Sequence, residues 1–239
     1  MTNVSETTEF LVAGAPIADA SVAADPAMVG TGNPGNDDSD LEISPISCEE
    51  DYELLARWSA ASSGALANGC HEYSRPGDFR AVAEEGAVQI LIVRADGQPV
   101  GAVTWEPQRT PGNYTVGVII GVHELWGGGH GINAVAGVLE YLFHSKNAHR
   151  VQITSAAYNK TMMKAFRSGF IHIEGILRDY YFLDGEYHDA VIGSILRDEY
   201  YGRLRAAVTD MVTAADKDEA YRILRKCLAD RPIAVQPRR

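Results

Sequence analysis

The stretch ELWGGGHGINAVAGVLEYLF, residues 124–143, decides the predicted fold. Four glycines fall within the five positions 127–131, directly before a helical pattern. The first N–H groups of a helix lack partners and lie at the positive end of its dipole. Because glycine has no Cβ, these groups can surround an anion, so the loop predicts a phosphate or pyrophosphate site. The helical pattern places four apolar residues on one face: Val135, Val138, Leu139 and Leu142.

Strand and turn patterns surround this loop. Two apolar runs within residues 88–106 flank the polar turn Asp96-Gly97-Gln98-Pro99, which predicts a hairpin. A second hairpin is predicted at Asp184-Gly185, a type I′ turn signal. We therefore predict an α+β fold, a mixed and mostly antiparallel sheet of about six to seven strands flanked by helices. The other predicted strands are 41–44, 113–122 and 150–154, and the helices are 49–61, about 79–85, 131–144, 159–168 and the region from Arg197.

The acidic residues are concentrated at the N-terminus. Residues 1–40 hold seven Asp and Glu and no Lys or Arg, so they carry −7 of the net charge of −11. A surface of this sign does not attract phosphate backbones, so we expect no nucleic-acid partner, whereas a cationic amine is compatible with it. The composition of residues 1–39 predicts a disordered tail. Residues 40–202 then form the globular domain, and residues 203–239 form a helical extension.

Cysteine usage and hydropathy bear on the compartment. Cys48, Cys70 and Cys227 show no C-x-x-C spacing and are predicted to be free thiols in a reducing compartment. No apolar run reaches the roughly 18 residues that a membrane span needs. The N-terminus has no positively charged segment typical of a secretory signal. We expect a cytoplasmic protein without a membrane partner.

Two well-known phosphate-binding glycine loops fit the quoted stretch poorly. A P-loop ends in Gly-Lys-Ser/Thr, but the chain reads Gly131-Ile132-Asn133, which excludes it. A dinucleotide fingerprint fits as G-x-G-x-x-A from Gly129 to Ala134, but no acidic residue ends the next strand at residues 150–154. A glycine-rich turn without a ligand is a further alternative.

Several motifs, in order, resemble the GNAT N-acetyltransferases. That family carries Gln/Arg-x-x-Gly-x-Gly/Ala between its fourth strand and third helix. Residues 126–131 read WGGGHG, which is similar to the RimJ/RimL-type branch. The resemblance covers about residues 41–200. It includes the strand TVGVIIG, Asn159 before a short helix that closes on Gly169-Phe170, and a closing hairpin with G-x-L-R and D-G-x-Y-x-D elements.

The resemblance implies a fold and a co-substrate. The fourth and fifth strands should splay apart, and acetyl-CoA should bind between them without a metal. The loop backbone should hold the pyrophosphate, the preceding strand should line the pantetheine arm, and Asn159 should contact CoA, with a helix N-cap as its alternative role. The implied cofactor-binding residues are Ile119, Ile120, Gly121, Trp126, Gly127, Gly128, Gly129, His130, Gly131, Ile132 and Asn159.

Acetyl transfer to an amine needs a base for the amine proton and an acid for the leaving thiolate. Many family members carry a glutamate on the fourth strand and a tyrosine on the short helix. Alignment from the loop places Thr115 at the glutamate position, and residues 162–166 contain no tyrosine. The candidate catalytic residues are therefore Glu106, which ends a strand, His123, which precedes the glycine loop, and Tyr180.

We therefore expect an acetyl-CoA-dependent N-acetyltransferase that acts on a primary amine. The acceptor is the α-amine of a peptide or protein N-terminus or an amino-acid-like small molecule. An enzyme for an antibiotic or natural-product amine, a non-catalytic acyl-CoA-binding module and a dinucleotide oxidoreductase are the alternatives. The C-terminal helices are candidates for a cap over the substrate cleft or for a homodimer contact.

Overall fold

The computed structural model describes residues 41–68, 73–204, 210 and 212–230, so the predicted tail at 1–39 lies outside the described residues. The strands are β1 Leu41–Pro45, β2 Gln89–Ala95, β3 Gln98–Pro107, β4 Asn113–Ile120, β5 Arg150–Ala156, β6 His172–Leu183 and β7 Glu186–Leu196. The α-helices are α1 Glu49–Ala60, α2 Ser62–Asn68, α3 Pro76–Glu85, α4 His130–His144, α5 Lys160–Arg167, α6 Arg197–Leu204 and α7 Ala214–Asp230. A 3₁₀ turn spans His123–Leu125.

The described strands form one seven-stranded sheet. Its order is β1-β2-β3-β4-β5-β7-β6, and every neighbouring pair is antiparallel except β4 and β5, which are parallel. The predicted mixed, mostly antiparallel sheet is therefore confirmed. The two hairpins turn at Asp96-Gly97 and Asp184-Gly185, and all four residues have positive φ, as a type I′ turn requires. The first turn is tighter than predicted, because Gln98 and Pro99 already belong to β3.

Helices cover both faces of the sheet. On one face, α1 and α3 bury an apolar cluster that includes Trp58 and Phe79 against strand residues such as Ile119. Successive strand residues point to opposite faces, so Val118 and Ile120 point to the other face, where Gly131 of α4 lies against them. The buried residues of α4 are Ala134, Val138, Leu139, Leu142 and Phe143, which confirms most of the predicted apolar face.

The helix α2 is the main element that the sequence pattern did not predict. Its sequence, SSGALAN, is short and rich in small residues, so it has no apolar period to detect. The hydroxyl of Ser63 donates to the carbonyl oxygen of Trp58 at 2.7 Å, which ties α2 to the end of α1. A Cβ built on Gly64 would lie 2.0 Å from the carbonyl oxygen of Ser59. The helix therefore depends on close tertiary contact with α1 rather than on its own propensity.

The chain divides into two compact units with the boundary between Gly202 and Arg203. The first unit contains the sheet and the helices packed on it. The second contains α7, whose described side chains, residues 214–229, are all exposed.

Two glycines of the β6–β7 hairpin provide a test of the packing. A Cβ built on Gly193 of β7 would lie 2.4 Å from the ring of Phe166 and 2.8 Å from the carbonyl oxygen of His172. We expect Gly193→Ala to lower the free energy of unfolding by about 2 kcal/mol, because the added methyl overpacks this site. Urea unfolding curves measure the change.

The matched control is Gly175→Ala on β6, where an added Cβ would meet nothing within 4 Å. Its stability should stay within about 0.5 kcal/mol of the parent chain. Equal unfolding midpoints for the two variants would contradict the described packing of Phe166 on β7.

Candidate active site

The sheet opens between β4 and β5. Only three residue pairs join these strands, Asn113 with Arg150, Tyr114 with Val151 and Thr115 with Gln152. Both strands continue beyond that point, β4 to Ile120 and β5 to Ala156. The strands therefore part after Thr115 and leave a V-shaped gap in the sheet.

The register of β3 and β4 decides which backbone groups face this gap. Gly121 N–H donates to Val100 O, and Gln108 N–H donates to Asn113 O. In an antiparallel ladder, hydrogen-bonded pairs alternate along the strand, so the odd-numbered residues of β4 direct their N–H and C=O groups to β3. Val118 and Ile120 therefore direct their backbone groups to the side of β5, into the gap.

This alternation divides the β4 residues that were predicted to bind the cofactor into two groups with opposite backbone directions. Ile120 faces the gap. Ile119 and Gly121 were predicted to line the same arm, but their backbone groups point to β3, and the side chain of Ile119 lies in the α1 and α3 core. Val118 faces the gap and was missed, because only the observed register shows which alternate residues turn that way.

A cavity of about 450 Å³ occupies the gap and the space beside α4. Its walls are apolar at the strands, where Val118, Ile120 and Ile153 contribute, and small or polar at the glycine loop. Of the residues predicted to bind the cofactor, it is lined by Ile120, Trp126, Gly127, Gly129, His130, Gly131, Ile132 and Asn159. The structure thus brings most of the predicted set around one cavity, while Gly128 is exposed outside it.

The glycine loop leaves the first turn of α4 open. Gly127 and Gly129 have φ of 80° and 92°, a region that side chains with a Cβ rarely adopt. Gly129 is the N-cap, and no side chain of a described residue caps the helix. The N–H groups of residues 130–132 therefore have no partner within the helix. Together with the helix dipole they form a cradle suited to an anion.

Trp126 fastens the loop to the end of β4. Its indole Nε1–H donates to the carbonyl oxygen of Ile120 at 2.8 Å, so one of the gap-facing carbonyl groups is already satisfied. The ring of His123 lies tilted against the indole with centroids 4.4 Å apart, and His123 is exposed. His123 therefore supports the loop at the far end of the gap.

Two further residues complete this end of the cavity. Asn159 is the N-cap of α5, and its Oδ1 accepts a hydrogen bond from Met162 N–H at 3.1 Å. The N-cap role is thus observed, and the side chain also lines the cavity. His130 has a buried Nδ1 without a hydrogen-bond partner among the described residues. Lys164 of α5 adds a positive charge to the cavity wall.

Glu106 lies on the sheet face opposite to α4. It ends β3 directly across the ladder from Thr115, the last β4 residue before the strands part. Burial raises the pKa of Glu106 from 4.5 to about 7, and among the described side chains none forms an ion pair with it. A carboxylate with this pKa can accept and release a proton near neutrality.

Polar groups on the same face surround the point where the strands part. The Thr115 hydroxyl accepts a hydrogen bond from Gln108 Nε2 at 2.8 Å. Thr154 lies two residues after Gln152 on β5, and so points to the same face across the gap. Its hydroxyl is buried and has no partner among the described residues. Sequence analysis missed Thr154, since a lone threonine in an apolar strand carries no signal.

The three candidate catalytic residues do not lie together. Thr115, beside Glu106, is five strand residues from Ile120, or about 17 Å, and His123 lies beyond Ile120. Tyr180 lies in the bulged part of β6, is 47% exposed and contacts the ring of Tyr181 edge to face. Of these three, only Glu106 is beside the point where the strands part.

Comparison with known proteins agrees with this geometry. The family model described as an acetyltransferase (GNAT) domain matches residues 40–170, more than half of the chain. The chain belongs to the GNAT acetyltransferase family. An uncharacterized N-acetyltransferase p20 of Bacillus licheniformis is 32% identical over 113 residues, which are 47% of this chain and 63% of that protein. The chain thus spans less than two thirds of the length of this relative.

Solved structures share the GNAT fold. RimJ of Mycobacterium smegmatis, in complex with CoA-disulfide, has a TM-score of 0.58 at 22% identity, over 76% of this chain and 95% of that one. Spermidine N-acetyltransferase of Vibrio cholerae, in complex with CoA and spermine, has a TM-score of 0.60 at 18% identity, over 67% and 97%. At such identities the likeness supports the fold alone.

Membrane-spanning helices and clustered metal ligands were both sought among the described residues of this GNAT chain. No helix there is both long and apolar enough to cross a membrane. No group of three or more His, Cys, Asp or Glu side chains in that part is arranged to hold a metal ion.

Gly131 offers a test of the cavity. A Cβ at this position would point at Ile120 and Val118, 3.4 and 3.7 Å from their side chains, and so into the gap. We expect Gly131→Val to weaken acetyl-CoA binding at least tenfold, because its methyl groups fill the space beside the open first turn of α4. Calorimetric titration of acetyl-CoA measures the affinity.

The matched control is Gly77→Val. Gly77 is also the second residue of its helix, α3, and an added Cβ there meets nothing within 4 Å. Unchanged affinity in Gly77→Val with loss in Gly131→Val supports the site. Equal affinity in both variants would contradict it.

Glu106 should also affect stability. Between pH 4.5 and about 7 the folded chain keeps a proton on Glu106 that the unfolded chain has lost, so stability falls as pH rises through this window. Glu106→Gln removes this penalty. We expect the variant to gain up to about 3 kcal/mol over the parent at pH 8 and to match it near pH 4. Chemical denaturation at both pH values measures the difference, with the exposed Glu53→Gln as control.

Proposed function

We propose that this chain is an acetyl-CoA-dependent N-acetyltransferase that acts on a primary amine. Family membership and the open first turn of α4 support acetyl-CoA as the acetyl donor. The observation that carries the catalytic part is the position of Glu106, a half-buried carboxyl with a pKa of about 7 beside the point where β4 and β5 part.

The residues around the cavity fit the donor. Acetyl-CoA supplies an activated acetyl thioester, and its pyrophosphate matches an anion cradle at a helix N-terminus. In the proposed complex, the N–H groups of residues 130–132 hold the pyrophosphate, and Lys164 and the Nδ1 of His130 add polar contacts. The gap-facing backbone of Val118, with the apolar side chains of Ile120 and Ile153, holds the pantetheine arm.

Glu106 acts as the general base in this proposal. An α-amine has a pKa near 8, so at neutral pH most of it carries a proton that must leave before attack. Glu106 removes this proton, directly or through one water, from an amine on the face that also carries Thr115 and Thr154. The hydroxyl of Thr154 is placed to bind the polar acceptor. Because no cation among the described residues pairs with Glu106, an incoming ammonium group would supply the missing counter-charge.

The transfer step forms an amide and releases CoA. The amine lone pair forms a bond to the thioester carbonyl carbon, and the carbonyl oxygen gains a negative charge that a gap-facing backbone N–H of β4 stabilises. The carbonyl then re-forms as the carbon–sulfur bond breaks. The attached nitrogen releases its second proton to solvent to give the amide, and the leaving thiolate takes a proton. Tyr180, a candidate catalytic residue from the sequence, is proposed as the acid for that proton, and its exposed position on β6 requires a shift towards the gap when substrate binds.

The proposal also specifies which class of amine accepts the acetyl group. We infer an α-amine of a peptide N-terminus or of an amino-acid-like small molecule, because the glycine loop and the closing hairpin are most similar to the RimJ/RimL-type branch. The structural neighbours include a ribosomal-protein-alanine N-acetyltransferase of Brucella melitensis as well as a spermidine acetyltransferase. A panel must therefore contain peptides with free N-termini, amino acids, aminoglycosides and polyamines.

Release of CoA from acetyl-CoA tests the activity. With an accepted amine, we expect kcat/KM to rise with pH through about 7, where Glu106 loses its proton. Glu106→Gln should lower kcat by about 10²–10⁴-fold and abolish this part of the pH profile, while the affinity for acetyl-CoA stays unchanged. The exposed Glu53→Gln should behave as the parent in all three measurements.

Other outcomes of these measurements would support a different function or exclude Glu106 as the base. Tight binding of acetyl-CoA without CoA release across the panel would favour a non-catalytic acyl-CoA-binding module, an alternative that Thr115 at the usual glutamate position keeps open. An unaltered pH profile in Glu106→Gln would remove Glu106 from the mechanism. Failure to bind acetyl-CoA, with NADH binding instead, would overturn the proposal as a whole.

A further inference from the structure

The helix α7 carries apolar side chains that remain exposed to solvent. Tyr221, Leu224 and Leu228 are 61%, 49% and 43% exposed. Their spacing of three and four residues places them on one stripe of the helix, which Ala214 and the stem of Lys217 extend. A stripe with this period is the seam that one helix presents to another in a coiled coil.

The charges beside this stripe are divided along the helix. The first half carries Asp216, Asp218 and Glu219 with a single cation, Lys217. The second half, residues 221–230, carries Arg222, Arg225 and Lys226, and its one acid is Asp230, the last residue of the helix. In a heptad frame with Tyr221 and Leu228 at a and Leu224 at d, Asp218 and Arg225 both fall at e, directly beside the seam.

Asp218 and Arg225 are among the charges of α7 that form no ion pair within the described residues, as is Lys226. Lys217 pairs with Asp210 at 3.4 Å, and Arg222 pairs with Glu219. Among the described residues, neither Asp218 nor Arg225 forms an ion pair. Seven residues apart on one helix, they are too far from each other to pair within the same chain.

We propose that α7 is a dimerisation helix that binds the α7 of a second copy of this chain in antiparallel orientation. In that orientation, each acidic half lies against the basic half of its partner, and e positions face e positions. Tyr221 packs against Leu224 of the second copy, and Leu228 packs against the stem of Lys217. Asp218 of each helix pairs with Arg225 of the other, so the two-fold axis generates the same ion pair twice.

A parallel pair would lack this complementarity. In a parallel pair, the acidic halves of the two helices would face each other, and so would the basic halves. Each e position would then face a g position, and the g positions here hold the uncharged residues Ala220 and Cys227. The charge pattern therefore selects the antiparallel pair, and it selects a second copy over an unrelated helix because the pattern is self-complementary.

Charge reversal in the full chain tests this assignment. Sedimentation equilibrium should find the parent chain in a monomer–dimer equilibrium. Asp218→Arg should raise the dimer dissociation constant at least tenfold, because it opposes like charges at both symmetric contacts. Arg225→Asp should do the same. Lys226→Glu, on the side of the helix away from the seam, should leave the dissociation constant unchanged.

Two rescue experiments separate this contact from a general loss of structure. The double variant Asp218→Arg/Arg225→Asp should restore the dimer. An equimolar mixture of the two single variants should also dimerise. In the mixed dimer, the two substituted side chains oppose each other with opposite charge, and the native Arg225 of one chain meets the native Asp218 of the other. Helix content by circular dichroism and the affinity for acetyl-CoA should stay unchanged in every variant.

Several results would overturn the proposal. A parent chain that is monomeric at about 100 µM, a concentration at which even a weak specific dimer forms, excludes the contact. A dimer that persists in both single charge-reversal variants must form through a surface other than α7. Absence of rescue in the mixture excludes the antiparallel register. Binding of a monomeric parent chain to phosphatidylserine vesicles, strengthened by Asp218→Arg, would instead assign the basic half of α7 to an anionic lipid surface.

Discussion

The interruption of the β4–β5 ladder after Thr115 is the constraint on which the rest of the site depends. Parallel strands normally continue to pair along their length, and backbone groups left unpaired inside a protein destabilise it unless another partner satisfies them. Here Trp126 satisfies Ile120, while the backbone of Val118 faces the cavity. The opening is also what lets α4 present its first turn to the same cavity, so the gap and the anion cradle are parts of one arrangement.

In the proposed mechanism, Glu106 on β3 takes the role that the resemblance assigns to a glutamate on β4. Alignment from the glycine loop places Thr115 at that β4 position, and its hydroxyl accepts a hydrogen bond from Gln108. Residues directly opposite in an antiparallel pair lie about 5 Å apart and point to the same face. A carboxyl moved from β4 to its neighbour on β3 therefore still reaches the same side of the gap. Burial without a counter-ion then gives it a pKa suited to proton transfer.

The sequence was sufficient for features with a local signature. Alternation, the Asp-Gly turns and the helical period predicted nearly all strands and helices, and Gly169 at φ 73° ends α5 as expected. Features that depend on register or on distant contacts were not predictable. The parity that selects Val118 over Ile119, the buried hydroxyl of Thr154 and the helix α2 held by Trp58 all depend on tertiary contacts. Trp126 was placed at the cofactor, but its hydrogen bond to Ile120 could not be read from the motif.

That hydrogen bond has a consequence for the kinetics of ligand association. Because the indole already fastens the glycine loop to the end of β4, the loop need not become ordered when an anion arrives. Preorganisation of this kind reduces the conformational entropy lost on binding. The hydrogen bond thereby keeps a glycine-rich segment, which would be very flexible in isolation, in the conformation that binds the anion. Diffusional encounter, rather than folding of the loop, would then limit the association rate of the ligand.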